Sequence, residues 1–268
     1  MTLELSRSEI ETFKSFACEL ADAAATVTLS YFKKPISIED KEKGTGFDPV
    51  TEADQNTEKK LRAIIEDHFP EHQICGEEFG RKVTDSPYEW YLDPIDGTRA
   101  FISGLPVWGT LISLAYNGEP IIGVIDQPYI KERYLGWPGG ASLNGVSISS
   151  RTCSSLSCAT LSTTDPDLFK ADERRAFDAL LADVRLARYG LDCYAYAVLA
   201  AGHMDIVIES GLKPWDMMAL IPVVKGAGGD AISWRGTSPA NSPNGQLLAV
   251  GDKNLLETIL KKLSPDNA

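Results

Sequence analysis

The nine residues Trp90-Tyr91-Leu92-Asp93-Pro94-Ile95-Asp96-Gly97-Thr98 hold the densest chemistry in the chain. Two carboxylates, Asp93 and Asp96, leave the end of an apolar strand with a proline between them and a glycine after. Pro94 fixes its φ and Gly97 permits a tight turn, so both carboxylates can converge on one point. Hard oxygen donors without histidine or cysteine suit Mg²⁺ or Mn²⁺ better than zinc. From Thr98 onward, the first backbone N–H groups of a new element can hold phosphate oxygens. The plainer alternative is an acidic turn at a strand end; the composition of the whole run favours the metal reading.

Three further acidic sets accompany it. Glu77-Glu78 follows the strand-like Ile74-Cys75-Gly76, and reads otherwise as a solvated loop pair. Trp215-Asp216 follows Lys213-Pro214, where proline and aspartate are also ordinary helix-start residues. In Asp48-Pro-Val-Thr51-Glu-Ala-Asp54, Thr51 and Asp54 can equally cap a helix. His68, His72 and His203 do not cluster and read as structural, as do the cysteines.

The elements that must position these groups follow from periodicity. Ser6 and Glu9 have the spacing of a capping box, and Ile10, Phe13, Ala17, Leu20, Ala24 and Val27 continue a helical stripe that Pro35 stops. Lys41–Val50 reads as a mobile loop. A second helix opens near Thr51, carries Leu61, Ile64, Ile65 and Phe69, and closes at Pro70. Strands are expected at Gln73–Gly76, Glu89–Leu92, Gly109–Ala115 and Ile121–Asp126, with a hairpin turn at Asn144-Gly145. In the second half, strands near Ala159–Ser162, Val184–Ala187 and Asp205–Ile208 alternate with helices at about 167–182, 192–202, 214–227 and 253–263. The pattern predicts a mixed α/β or α+β body in two packed parts, 1–145 carrying most of the acidic motifs and 146–268 completing the site.

Composition narrows the class. The 268 residues carry 26 Lys+Arg against 38 Asp+Glu, a formal charge of −12. That acidity argues against nucleic acid or an anionic membrane as the main partner. No apolar run is long enough to span a bilayer and no signal peptide is evident. Five scattered cysteines suit reduced thiols, and with them a cytoplasmic setting.

Gly76-Glu77-Glu78, Asp93-Pro94-Ile95-Asp96-Gly97-Thr98, Trp215-Asp216 and Asp48-Pro-Val-Thr-Glu-Ala-Asp54 resemble the motifs of the inositol monophosphatase family, over roughly residues 5–265. The resemblance implies a layered α-β-α-β-α phosphomonoesterase, metal-dependent and lithium-sensitive, commonly dimeric. It implies that Glu77, Asp93 and the Ile95 carbonyl hold a first Mg²⁺, and that Asp93, Asp96 and Asp216 hold a second. A third ion is possible in such sites, and Mn²⁺ can replace Mg²⁺. Asp54 and Thr98, with Glu77, are then expected to orient and deprotonate the attacking water, and the Gly97 and Thr98 amides to bind phosphate.

Within the family, Thr98-Arg99-Ala100-Phe101 through Trp108-Gly-Thr110 and Gly190-Leu-Asp192-Cys193-Tyr194-Ala-Tyr196 are similar to the histidinol-phosphatase branch. Asp192, at a helix opening, and Glu209, at a strand end, are the expected substrate-pocket anions; a helix cap and a solvated strand end are their alternatives. Two anions would select an amine-bearing, imidazole-bearing alcohol phosphate over a neutral polyol. Arg188 can reach a phosphate or stand at the surface, and Lys43 can lean toward the site from its loop. The expected activity is therefore hydrolysis of histidinol phosphate. The alternatives are an inositol or broad-specificity phosphatase of the same fold, and an inactive binding relative.

Overall fold

A computed structural model describes residues 5–35, 38–40, 49–239, 242 and 244–263 of the protein. Ser6 opens α1 (Arg7–Tyr31) by the reciprocal cap expected of it: the Glu9 N–H donates to Ser6 Oγ at 3.2 Å and the Ser6 N–H to Glu9 Oε2 at 2.8 Å. The helix stops ahead of Pro35, where Lys33 turns left-handed at φ 59°. β1 (Ile38–Asp40) and β2 (Pro49–Thr51) pair antiparallel before α2 (Glu52–His68). Of the loop expected over Lys41–Val50, residues 41–48, with Lys43 and Asp48, lie outside the described residues; Pro49 and Val50 belong to β2.

An eight-stranded sheet follows. It comprises β3 (Gln73–Gly76), β4 (Gly80–Lys82), β5 (Tyr88–Asp96), β6 (Gly109–Tyr116), β7 (Glu119–Gln127), β8 (Glu132–Trp137), β9 (Gly140–Leu143) and β10 (Val146–Ser147). Their order is β10-β9-β8-β7-β6-β5-β3-β4, antiparallel throughout except for β3 against β5. The one helix within this stretch, α3 (Thr98–Ile102), follows β5. Asn144 and Gly145 make the expected hairpin turn, with φ of 49° and 80°.

The second sheet holds β11 (Thr160–Thr163), β12 (Leu186–Tyr189), β13 (Ile206–Glu209), β14 (Asp230–Ile232) and β15 (Leu247–Val250) in the order β12-β11-β13-β15-β14. Its helices are α4 (Ala171–Leu181), α5 (Tyr194–Ala200), α6 (Pro214–Met217), α7 (Leu220–Gly226) and α8 (Leu256–Leu263). Strand alternation sorts side chains between layers. Ile112 and Leu114 of β6 meet Leu20 and Ala24 of α1, while Leu111 faces α5 and α7. Val207 and Ala249 face those same middle helices, whereas Ile206, Ile208 and Leu248 meet Phe177 of α4 and Ile259 of α8. The result is the expected α-β-α-β-α layering.

Several expected elements shift. The helix read over 214–227 is broken between α6 and α7 at Met218-Ala219, where the backbone is pressed onto the large sheet. Ser113 Oγ donates to Met218 O at 2.9 Å, and a Cβ on Gly123 would overlap the Ala219 carbonyl. The strand read at Val184–Ala187 lies two residues later, and the segments before α4 and α8 begin as single 3₁₀ turns. β1, β2, β4, β8, β14 and β15 were not expected. Four of these six carry glycine or charge within runs of six residues or fewer, which weakens the apolar signal.

Candidate active site

Residues three apart on a regular strand point to opposite faces. Between Asp93 and Asp96 the register against β6 slips: Asp93 stands opposite Leu111 and Asp96 opposite Gly109. The extra residue on β5 restores the parity, so the two carboxylates share a face. Polar contacts fix this bulge: the Ile95 N–H donates to Asp93 Oδ1 at 3.0 Å, Thr110 Oγ1 donates to Pro94 O at 2.8 Å, and Thr98 Oγ1 donates to Ile95 O at 3.0 Å. Asp216 arrives from α6, where Pro214 starts the helix and the Lys213 N–H donates to Asp216 Oδ2 at 2.7 Å. The helix-start reading of Asp216 is thus correct as well as its meeting with β5. Oxygens of Asp93, Asp96 and Asp216 all lie within 4.8 Å of one another.

Glu77 stands beside them, its N–H donating to Leu92 O at 3.2 Å, one residue before Asp93. Asp54, buried in the first turn of α2, accepts from the Thr51 N–H at 2.9 Å and from Thr51 Oγ1 at 2.6 Å. Capping and approach to the acidic centre therefore coexist in Asp54: burial, with repulsion from Glu77, pushes its carboxyl up to about 6 against those bonds. Burial and then the charges of Glu77, Asp96, Asp216 and Asp54 drive Asp93 well above the usual carboxylate range. Asp216 is raised in the same way, chiefly by burial and Asp96. Asp96 is raised by burial although the Cys193 N–H donates to its Oδ2 at 2.7 Å. Buried and half-buried carboxylates that repel one another, all offering oxygen, fit a hard divalent cation.

Beyond the bulge, Gly97 takes φ 81°, left-handed backbone that suits glycine, and leads into α3 at Thr98. A Cβ on Gly97 would stand 3.0 Å from the carboxyl carbon of Asp192, so this glycine makes room for a side chain from the other sheet. Asp192 does not cap α5: it takes φ 47° two residues ahead of the helix, and Cys193 is the N-cap. Burial, then repulsion from Asp96, lifts its carboxyl to about 7, with Arg99 opposing. Glu209 is not a solvated strand end either. It is buried, accepts from the Thr164 N–H at 2.7 Å, Thr164 Oγ1 at 3.0 Å and Thr163 Oγ1 at 3.3 Å, and is still pushed up to about 8 by burial, with Asp192 adding to the rise.

Arg188 does not join this group. It is exposed on the edge strand β12, where its carbonyl accepts from Ser162 Oγ at 3.0 Å. His72 packs as a core histidine: Trp90 Nε1 donates to its Nδ1 at 3.1 Å, and burial drops that imidazole to about 4. Three groups escaped the sequence reading. The Cys193 amide and the Thr110 hydroxyl lock the β5 bulge, and no local pattern marks a backbone donor or a lone threonine. Tyr196 is buried with its hydroxyl unpaired among the described residues, and Glu209, Asp96 and Asp216 all bear on it electrostatically.

Comparison with known proteins bears out the resemblance. The inositol monophosphatase family model matches residues 9–267. "Bifunctional phosphatase IMPL2, chloroplastic" of Arabidopsis thaliana is 45% identical, over 97% of this chain and 77% of that protein. A histidinol-phosphatase of Chlorobaculum parvum is 36% identical, over 82% and 85% of the two chains. The solved structure of an inositol monophosphatase from Zymomonas mobilis superposes with a TM-score of 0.87 at 40% identity, over 96% of this chain and 99% of that one. With its fold and its acidic centre both of this kind, the chain belongs to the inositol monophosphatase family, a phosphatase family that depends on metal.

Proposed function

We propose that this phosphatase hydrolyses L-histidinol phosphate to L-histidinol and inorganic phosphate with Mg²⁺, as a step in histidine biosynthesis, and works as a cytoplasmic homodimer. The observation that carries the substrate is the pair of half-buried Asp192 and buried Glu209, the first of them packed against Gly97 at the head of α3. Burial and neighbouring carboxylates lift the pair to about 7 and about 8, even with Arg99 opposing the rise at Asp192. An ammonium or imidazolium supplied by substrate would relieve that repulsion, and a neutral polyol would not. The 36% identical histidinol-phosphatase supports the same reading.

A phosphate monoester dianion repels nucleophiles, so hydrolysis needs positive charge and an aligned water. Glu77, Asp93, the Ile95 carbonyl, Asp96 and Asp216 would hold Mg²⁺, which supplies that charge when bound. Thr98 Oγ1 and Asp54 orient the attacking water, and Asp54, with Glu77, takes its proton. The Gly97 and Thr98 amides hold the phosphoryl oxygens where α3 begins. Water adds to phosphorus as the ester oxygen leaves, and that oxygen ends protonated as the free alcohol. Asp192 and Glu209 orient the amine-bearing remainder.

The 40% identical inositol monophosphatase favours a second reading, inositol 1-phosphate as substrate. Comparing kcat/KM for the two esters in Mg²⁺ decides. A clear preference for histidinol phosphate is expected; preference for inositol 1-phosphate overturns the assignment in favour of the second reading.

A further inference from the structure

Glu77 sits on a three-residue turn, Glu77–Phe79, between β3 and β4, whose flanking glycines Gly76 and Gly80 are paired in register. In a turn this short the backbone bonds set where Glu77 leaves the chain. Its three successive N–H groups are all engaged. The first donates to Leu92 O on β5 at 3.2 Å. The other two go to one carboxylate from another element: the Glu78 N–H donates to Glu58 Oε2 at 2.7 Å and the Phe79 N–H to Glu58 Oε1 at 3.2 Å.

Glu58 lies on α2, fully buried. Its charge is balanced one turn along the helix by Arg62, whose Nε donates to Glu58 Oε1 at 2.7 Å and whose Nη2 donates onward to Gly80 O. The carboxylate occupies the space a Cβ at Gly76 would fill, so Gly76 is matched to it. A buried carboxylate bridging a cation and two backbone amides is a rigid anchor, because releasing either partner leaves a desolvated polar group.

We propose that Glu58, steadied by Arg62, is a positioning residue for the metal centre: it fixes the Glu77–Phe79 turn so that Glu77 meets Asp93. This rests on the reading that Glu77 holds metal. Groups behind metal ligands are worth about 10–100-fold in metal affinity. The same anchor also ties α2, which carries Asp54 in its first turn, to the turn that carries Glu77.

The test is direct Mn²⁺ binding to the purified full-length protein, by calorimetry and by paramagnetic resonance of free Mn²⁺. Wild type, Glu58→Ala, Glu58→Gln, Arg62→Met, Glu77→Gln and the Glu58/Glu77 doubles would be compared. Glu58→Ala is expected to weaken Mn²⁺ by about tenfold or more, and Arg62→Met by less. Glu58→Gln, which keeps an acceptor for one amide, should recover part of the loss. At saturating metal, KM for a small generic phosphate ester should stay within about twofold of wild type, because the anchor touches no substrate. In the Glu77→Gln background the loss of Glu58 should add nothing, since Glu58 acts through Glu77. Should Glu58→Ala not fold, Glu58→Gln and Arg62→Met carry the same cycle. Unchanged Mn²⁺ affinity in these variants, or losses that simply add to those of Glu77→Gln, overturn the positioning role. Wild type that binds no Mn²⁺ overturns the metal reading and this proposal with it, and is recognised before any variant is made.

Discussion

Two groups of carboxylates meet in this protein, and they are held in different ways. Asp54, Asp93 and Asp216 each accept a backbone N–H from two or three residues away, those of Thr51, Ile95 and Lys213. Asp192 and Glu209 rest on distant chain: Gly97 of the other sheet makes room for the first, and Thr163 and Thr164 bond the second from 46 and 45 residues away. A local carboxylate takes its direction in part from its own turn or cap. A distant one has its direction only once both sheets are assembled. Chemistry common to a family can be written in local spacing, and selection among substrates in long-range contacts.

The widest breach of this contrast comes from the local group. Asp93→Asn should bring turnover down to that of the chelated wild type, and so should Asp96→Asn, whose carboxylate is held from 97 residues away by the Cys193 N–H, since each change removes a charge that metal needs. Melting temperature in metal-free buffer should hold or rise, because the change relieves repulsion among buried carboxylates. Turnover with and without Mg²⁺, beside a melt of the same sample, checks both. Wild-type turnover in chelated buffer sinks the metal reading.

Asp54→Asn and Thr98→Ala come next. Groups that handle the water should lower kcat by about 10²–10⁴-fold with KM nearly unchanged. Asp54 is also half of a helix cap, and a cap alone predicts a different pattern, about 1 kcal/mol of lost stability with chemistry spared. Measuring kcat and melting temperature on the same purified variants separates the two roles.

This contrast also explains what the sequence made legible. Asp93-Pro-Ile-Asp96-Gly showed convergence because a proline, a glycine and a β-bulge act within five residues. The helix caps at Ser6 and Thr51 were readable for the same reason. The sheet order was not, because β5 passes over β4 to pair with the far side of β3, a choice made by burial of whole faces. Nor was the break at Met218-Ala219, which comes from contact with Ser113 and Gly123 about a hundred residues earlier. Asp192 and Glu209 read as anions, but the enclosure of the first and the burial of the second are invisible in sequence, so caps and solvated ends stay open as alternatives. Arg188 has the right charge, and nothing in its neighbours foretold the exposed edge strand.

A smaller effect sharpens the distant group. Asp192→Ala should narrow the preference for histidinol phosphate over inositol 1-phosphate by about ten- to hundredfold, the worth of one buried charge-assisted bond. Hydrolysis of a small generic ester should be spared, since Asp192 is assigned to the remainder of the substrate. An unchanged ratio removes Asp192 from selectivity.

The smallest effect concerns stability and pH. Burial raises the Glu209 carboxyl from 4.5 to about 8, so the folded state binds its proton more tightly than the unfolded chain does. Its contribution to stability is full below the unfolded value and is lost as pH rises through about 8. Asp192, raised to about 7, titrates in the same direction. Melting temperature in metal-free buffer should therefore fall as pH rises from about 5 to about 8.5. Glu209→Gln stays neutral throughout; its amide oxygen can accept from Thr164 and its Nε2 can donate to Thr163 Oγ1. The variant should match wild type at the acid end and melt a few degrees higher at the alkaline end. Mg²⁺ should remove the share of the slope that comes from Asp93, Asp96 and Asp216 and leave the share from Glu209, which stands apart from that cluster. Equal slopes for wild type and Glu209→Gln, with and without Mg²⁺, would mean that the distant anion costs the fold nothing, and the argument that it awaits a cationic substrate would lose its physical basis.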